Sequence, residues 1–312
     1  MRFFFSFIFM LLSPLVVVAE VSSARLKASY WVNNSAGLDI SGLSFCTGRL
    51  LAVSDKNSGE IYTLKLRDGD ADLVSHLQLD GLGVPEHDEH DEPVSFWEAF
   101  KELFRPADEL DFEGVSCDGS TIYLVSEHYN RIAVVSDQGK ASWQEYLWSP
   151  AAKSQGYLQK ANASSEGLVK AGDVFWVAME REPRGLLKLN SSGGASVFSL
   201  PSVAGLDFRG RSEDLTGLDY YDGALFTLER NAHAVCRRAL PSLKAEWCLD
   251  YHALEVSPER VYEETRYGKG EGLAVNQQGI FVVLDNNNVG RALAPDDKRA
   301  LLLHLAFPRD NQ

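Results

Sequence analysis

DFEGVSCDGSTIYLVSEHYNRIAVVS, residues Asp111 to Ser136, decides the fold. It holds the pair Glu113-Gly114, a short apolar run, a turn at Asp118-Gly119, and a second apolar run, Thr121 to Ser126, ending at Glu127. A third run, Arg131 to Ser136, follows. The pattern recurs. Ser41-Gly42-Leu43 leads to Asp55, Glu166-Gly167-Leu168 to Glu180, Thr216-Gly217-Leu218 to Glu229, and Glu271-Gly272-Leu273 to Asp285. The spacing from the residue before the glycine to the acid is 14 in every copy except the fourth, where it is 13. Matches in register at this spacing mark a repeated supersecondary unit.

Each unit reads as strands: short runs rich in Val, Ile, Leu, Phe and Tyr, bounded by Gly, Asp, Asn and Ser. Thr47-Gly48, Asp118-Gly119, Ala171-Gly172, Asp222-Gly223 and Gln278-Gly279 suit tight hairpins. The third runs are Ile61 to Leu66, Arg131 to Ser136, Gly185 to Leu189, Ala234 to Leu240 and Val289 to Leu293. The fourth are Asp72 to Leu79, Ala141 to Trp148, Ala195 to Leu200, Ala245 to Tyr251 and Ala300 to Phe307. Four antiparallel strands repeated about every 50 residues describe an all-β fold, a β-propeller. Five blades are favoured, with a degenerate sixth as the alternative, and Arg25 to Val32 closes the ring beside the last blade. The propeller is expected to span residues 25–307 as one domain.

Outside the repeats, Arg2 and the apolar run Phe3 to Val18, followed by Val17-Val18-Ala19 before Glu20, predict a signal peptide over residues 1–19. The expected compartment is periplasmic or secreted, with no membrane span after cleavage. Four cysteines suit an oxidising location. Cys236 and Cys248 flank a turn and face each other in the expected hairpin; Cys46 and Cys117 either pair or stay as buried thiols. Residues 84–110 form an insertion, an acidic run with His87 and His90 followed by helical spacing from Pro93 to Phe104. It reads as a docked helix with a solvated loop, or as a lid or docking surface. A net charge of −14 disfavours nucleic acid as a partner.

The chemistry lies where the repeats place polar groups. Glu113 with Glu127, Glu166 with Glu180, and Glu271 with Asp285 are each symmetric about a turn. Each pair is therefore expected directly opposite across its hairpin, where like charges repel unless something positive compensates. Calcium, with its preference for 6 to 8 oxygens, suits Glu113, Glu166 and Glu271 converging on the axis, with Asp285, Asp111, Glu213 and Asp214 adding oxygens. Ser41 and Thr216 take the corresponding positions in the other units. Arg181, Arg230 and His128 follow second acids and suit an anionic ligand; the other reading is internal Glu–Arg pairing. If the protein is an enzyme, Glu127 or Glu180 is the candidate general base. Gly-x-Ser-x-Gly and His-Glu-x-x-His motifs are absent from the sequence.

The repeated Glu-Gly-Leu, the Glu180-Arg181 and Glu229-Arg230 endings and Asp111-Phe112-Glu113-Gly114 resemble the phytase-like family, "esterase-like activity of phytase", and the related SdiA-regulated proteins. The resemblance implies a propeller with calcium in or near its channel and metal-assisted hydrolysis of phosphate or related anionic esters. The competing expectation is a non-catalytic propeller with structural calcium that binds a small ligand or an envelope protein.

Overall fold

The structure is a computed structural model that describes residues 19–85, 110–160 and 163–308. The expected signal peptide, His87, His90 and the expected helix of the insertion lie almost entirely outside these residues.

Strands dominate. β1 (Glu20–Ser23) and β2 (Leu26–Asn33) precede the first repeat. The repeats supply β3 (Ile40–Cys46), β4 (Arg49–Ser54), β5 (Glu60–Leu66) and β6 (Asp70–Gln78). Next come β7 (Phe112–Asp118), β8 (Thr121–Ser126), β9 (Arg131–Val135) and β10 (Ala141–Trp143). β11 (Ser165–Ala171), β12 (Val174–Met179), β13 (Gly185–Asn190) and β14 (Ala195–Ser199) form the third unit. β15 (Leu215–Tyr221), β16 (Ala224–Glu229), β17 (Ala234–Ala239) and β18 (Ala245–Asp250) form the fourth. β19 (Gly270–Asn276), β20 (Gly279–Leu284) and β21 (Leu301–Leu305) complete the chain. Short helices α1 (Ser149–Ser154) and α2 (His252–Glu255) sit in connections.

Four sheets result. β7–β10 and β11–β14 are four-stranded and antiparallel, and β15–β18 carries β1 as a parallel fifth strand. The remaining sheet has eight strands, in the order β19-β20-β21-β2-β6-β5-β4-β3. It is two antiparallel quartets joined by the parallel pair β2–β6. The N-terminal strand β2 therefore completes the last unit, antiparallel to β21, and ties the two ends of the chain together. This corrects the expected order there. Leu301–Leu305 is the third strand of the unit, and Val289 to Leu293 is a loop. Asn287 and Asn288 adopt positive φ and end β20. The fourth run of the second unit is also shorter than expected. It stops at Trp143, and Trp148 instead fills a core cluster with Val125, Ile132 and Leu158 just ahead of α1.

The first strands β3, β7, β11, β15 and β19 pack side by side in a ring, and the repeated glycine explains how closely. A Cβ on Gly114 would lie 2.6 Å from the Glu166 carbonyl oxygen, and one on Gly167 2.8 Å from the Leu218 nitrogen. Gly42 faces Gly114, and Gly272 faces Ser41, in the same way. Only hydrogen fits where these backbones meet.

Both cysteine pairs are disulfides. Cys46–Cys117 joins β3 to β7, and Cys236–Cys248 bridges β17 and β18, where the two residues are register partners.

An acid-lined ring with one arginine in register

Every first hairpin carries a register shift at the same place: at Ser41-Gly42, Glu113, Glu166-Gly167, Thr216 and Glu271. Phe112 pairs with Ser126 and Gly114 with Val125, so Glu113 is an extra residue with no direct partner. The leading acids thus do not sit directly opposite the second acids, as their symmetry about the turns had suggested. A bulge re-aims the side chain it carries, and here it does so once per unit. Where the residue is Ser or Thr, the side chain ties neighbouring first strands together. Ser41 Oγ donates to the Phe112 carbonyl at 2.7 Å, and Thr216 Oγ1 to the Gly270 carbonyl at 2.7 Å.

One backbone hydrogen bond then fixes the second polar position in each unit. The amides of Asp55, Glu127, Glu180, Arg230 and Asp285 donate to the carbonyls of Asp39, Asp111, Ser164, Asp214 and Lys269. Arg230, not Glu229, is therefore the fourth member of the series, and its spacing from Thr216 is 14, like the others. Glu229 is the in-register partner of Leu215 and lies away from this position. It is fully buried between Arg184 (2.6 Å) and Arg238 (2.7 Å), and accepts from Thr227 Oγ1 at 3.0 Å. Burial alone would raise its pKa, but the two arginines outweigh that and hold the carboxyl below its ordinary value.

Two carboxylate triads emerge. Asp55, Asp111 and Glu113 each offer an oxygen within 4.8 Å of the others, and so do Glu127, Glu166 and Glu180. Burial pushes Glu113 well above the usual carboxylate range, reinforced by Asp111, Glu127, Asp55 and Glu271. Glu166 is raised likewise, by burial and then by Glu180, Glu113 and Glu127. The two triads therefore feel each other. Burial lifts Asp55 to about 7, although Lys56 at 2.7 Å opposes this. Glu180 rises to about 8 by burial, opposed by Arg230 and Arg181. Asp285 rises to about 8 by burial and by the nearby Asp39, while accepting the Asn287 amide at 2.9 Å.

The other side of the ring is neutralised. Arg230 donates from Nη1 to Glu271 at 2.9 Å, and from Nη2 to Asp214 at 2.6 Å and to Glu180. Arg181 also donates to Glu180 and lies 3.8 Å from Asp214. Glu271 is thus held by an arginine, and Asp285 belongs to neither triad. Asp111 lies with Asp55 and Glu113, and Glu166 with the two candidate bases Glu127 and Glu180. Glu127 accepts the Ser164 amide at 3.0 Å. His128 is half-buried, with its ring 4.4 Å from that of Tyr129. Glu213 is exposed and pairs with Arg184 at 2.9 Å. Asp55 was legible as a second acid, but only the fold joins it to Asp111 and Glu113.

The triads can be tested for fit to a metal. All the donors are carboxylate oxygens, the chemistry a hard divalent cation selects. Buried oxygens Asp55 Oδ1 and Glu180 Oε2 have no hydrogen-bond partner among the described residues. Buried polar atoms are ordinarily satisfied, so these are oxygens available to a cation.

The family described as esterase-like activity of phytase matches residues 37–288. The chain belongs to the phytase-like family. Among curated proteins, none matches at the sequence level. Among solved structures, the glutaminyl cyclase of Myxococcus xanthus is similar over 93% of this chain and 100% of its own, at 13% identity and a TM-score of 0.57. The PQQ-bound aldose sugar dehydrogenase of Streptomyces coelicolor is similar over 91% and 98%, at 12% identity and a TM-score of 0.47. The likeness to the glutaminyl cyclase speaks for the fold alone, and the chemistry of the chain must be argued from its own site.

Proposed function

We propose that this phytase-like chain is an exported five-bladed β-propeller that binds calcium at the acid-lined end of its ring and hydrolyses phosphate or related anionic esters there. The observation that carries the reading is the pair of adjacent carboxylate triads with buried oxygens lacking a hydrogen-bond partner. Five blades follow from counting β2 as the fourth strand of the last unit and splitting the eight-stranded sheet at its parallel β2–β6 pair. Export rests on the apolar N-terminal run and the two disulfides. Among the described residues, no helix is long and apolar enough to cross a membrane.

Asp55, Asp111 and Glu113 would hold one cation, and Glu127 with Glu166 and Glu180 a second or a shared one. When bound, such an ion polarises an ester oxygen and lowers the pKa of coordinated water. The residues themselves do the positioning. The bulges aim Glu113 and Glu166 inward, and the Ser164 amide orients Glu127. Glu180, raised to about 8, can hold or release a proton near neutral pH. Arg181, partly exposed, would meet the anionic group, with His128 as a further contact. Arg230 is engaged by three carboxylates and serves the site from within.

The second reading, a binding propeller with structural calcium, is favoured by this same internal use of Arg230. One experiment separates the two readings: melting in EDTA and in calcium, alongside turnover of a phosphoester panel. A calcium-dependent rise with turnover supports the hydrolase, a rise alone supports the binding protein, and no rise removes the cation from both.

A further inference from the structure

Unlike Arg184 and Arg230, Arg211 and Arg266 are exposed, and among the described residues neither guanidinium forms an ion pair or a hydrogen bond. Both lie over the ring of Tyr267, with Cζ 5.6 and 5.0 Å from its centre, and Tyr267 is itself 41% exposed. Glu213 and Glu264, in the same connections, pair instead with Arg184 at 2.9 Å and Lys269 at 2.6 Å. A guanidinium stacked on an aromatic face is held in place while the N–H donors at its edge stay free.

The two connections that carry these residues, 200–214 and 251–269, lead into the first strands β15 and β19, so both lie at the acid-lined end of the ring. Asn231, 1% exposed, fastens them to each other: its Nδ2 donates to the Ser212 carbonyl at 3.1 Å, and its Oδ1 accepts the Gly268 amide at 3.1 Å. Arg209 pins the first connection further, donating to the Ala232 carbonyl and to Asp250, each at 2.8 Å. A Cβ on Gly268 would collide with the Arg230 carbonyl oxygen, so the second connection runs hard against Arg230. Arg230 already neutralises Asp214 and Glu271 on this side, which lowers the repulsion an incoming anion meets.

We propose that Arg211 and Arg266, stacked on Tyr267, form an anion clamp at the acid-lined end, and that it takes a second anionic group of the ester, a phosphate or carboxylate remote from the group that is cleaved. The substrate class rests on the function proposed above; the clamp does not.

The test is phenylglyoxal modification of the folded full chain with calcium, read arginine by arginine by peptide mass spectrometry, in sodium sulfate and in sodium chloride of equal ionic strength. Sulfate stands in for the second group. At about ten times its dissociation constant it should slow modification of Arg211 and Arg266 by about tenfold, by mass action. Arg49, exposed at the β3–β4 turn at the opposite end, should react equally in the two salts. Arg211→Gln should strip Arg266 of its protection, and Arg266→Gln should do the same to Arg211. Protection no greater than that of Arg49, or protection that survives loss of the partner arginine, overturns the clamp. Turnover of paired esters with and without a second anionic group tests the substrate class. The second group should lower KM by about tenfold, and Arg211→Gln should erase that difference with kcat unchanged. Turnover without this preference overturns the substrate class, whereas protection without any turnover supports the clamp and removes the hydrolase.

Discussion

The two sides of the ring solve one electrostatic problem differently. On the side of β15 and β19, the acids Asp214 and Glu271, with Glu180 from the neighbouring unit, surround the guanidinium of Arg230. On the side of β3, β7 and β11, the acids Asp55, Asp111, Glu113, Glu127 and Glu166 crowd together, and burial, reinforced by neighbouring acids, pushes Glu113 and Glu166 above the usual carboxylate range. Both sides use the same bulge and the same backbone hydrogen bond, so the scaffold does not make the difference. A single residue in register does. Buried like charges are costly unless compensated, and an oxygen such as Asp55 Oδ1, which has no hydrogen-bond partner among the described residues, is open to a cation from solution.

The largest effect that tests this contrast is pH-dependent stability in EDTA. Folded pKa values of about 7 for Asp55 and about 8 for Glu180 and Asp285 lie above the unfolded values of 3.8 for Asp and 4.5 for Glu. The stability these groups contribute is fully present below about pH 4 and is lost as the pH rises through 7 to 8. On the linkage scale of about 1.4 kcal/mol per unit, the loss between pH 5.5 and 9 is on the order of several kcal/mol. Saturating calcium should flatten the profile. The paired variant Glu113→Gln/Glu166→Gln should remove only the part of the slope that these two raised carboxyls add and leave the part due to Asp55, Glu180 and Asp285. A wild-type melt that stays level in EDTA across this range would show the acids to be satisfied internally.

Next in size are the disulfides, one on each side. Cys46–Cys117 closes a separation of 71 residues and Cys236–Cys248 one of 12. Chain entropy assigns roughly 4 kcal/mol to the first and roughly 3 kcal/mol to the second. Urea unfolding of the two double-serine variants should rank them in that order. The reverse ranking would mean that the β3–β7 junction is held mainly by its packing.

A calcium titration distinguishes the sides more directly. Glu113→Gln should weaken binding by about 100-fold, equivalent to about 2.8 kcal/mol, because it removes a charged ligand from a triad. Glu271→Gln, whose carboxylate already serves Arg230, should change binding by less than about threefold. Equal losses would return Glu271 to the metal site.

Much of this was legible in the sequence. The x-Gly-Leu repeats, the turn glycines and the spacing of 14 led to the strands and to the ring of first strands. What was hidden was hidden by chemistry. Matching acid to acid selected Glu229 in the fourth unit, although the spacing of 14 already pointed to Arg230. The bulges that decide the matter belong to strand pairing and leave no residue signature beyond the glycine. Val289 to Leu293 looked like a strand because it is apolar at its ends, but Asn287 and Asn288 turn the chain just ahead of it. The pairing of Glu229 with Arg184 and Arg238 joins residues up to 45 positions apart, which no local pattern announces.

The smallest effect probes the ring where the two sides meet their neighbours, using the glycines themselves. A methyl on Gly114 would press on backbone, 2.6 Å from the Glu166 oxygen and 2.7 Å from the Leu168 nitrogen. Neither atom can move without shifting β11, and with it the bulge that aims Glu166. A methyl on Gly217 would meet the side chains of Leu273 and Leu228 at 2.9 and 3.2 Å, which can adjust. Overpacking costs about 1–3 kcal/mol, so Gly114→Ala belongs near 2 to 3 and Gly217→Ala near 1. Only Gly114→Ala should also weaken calcium binding, because it alone displaces a triad carboxylate. If both variants lose similar stability and neither changes calcium affinity, the close approach of β7 to β11 serves packing alone, and the aim of Glu166 is set within its own hairpin.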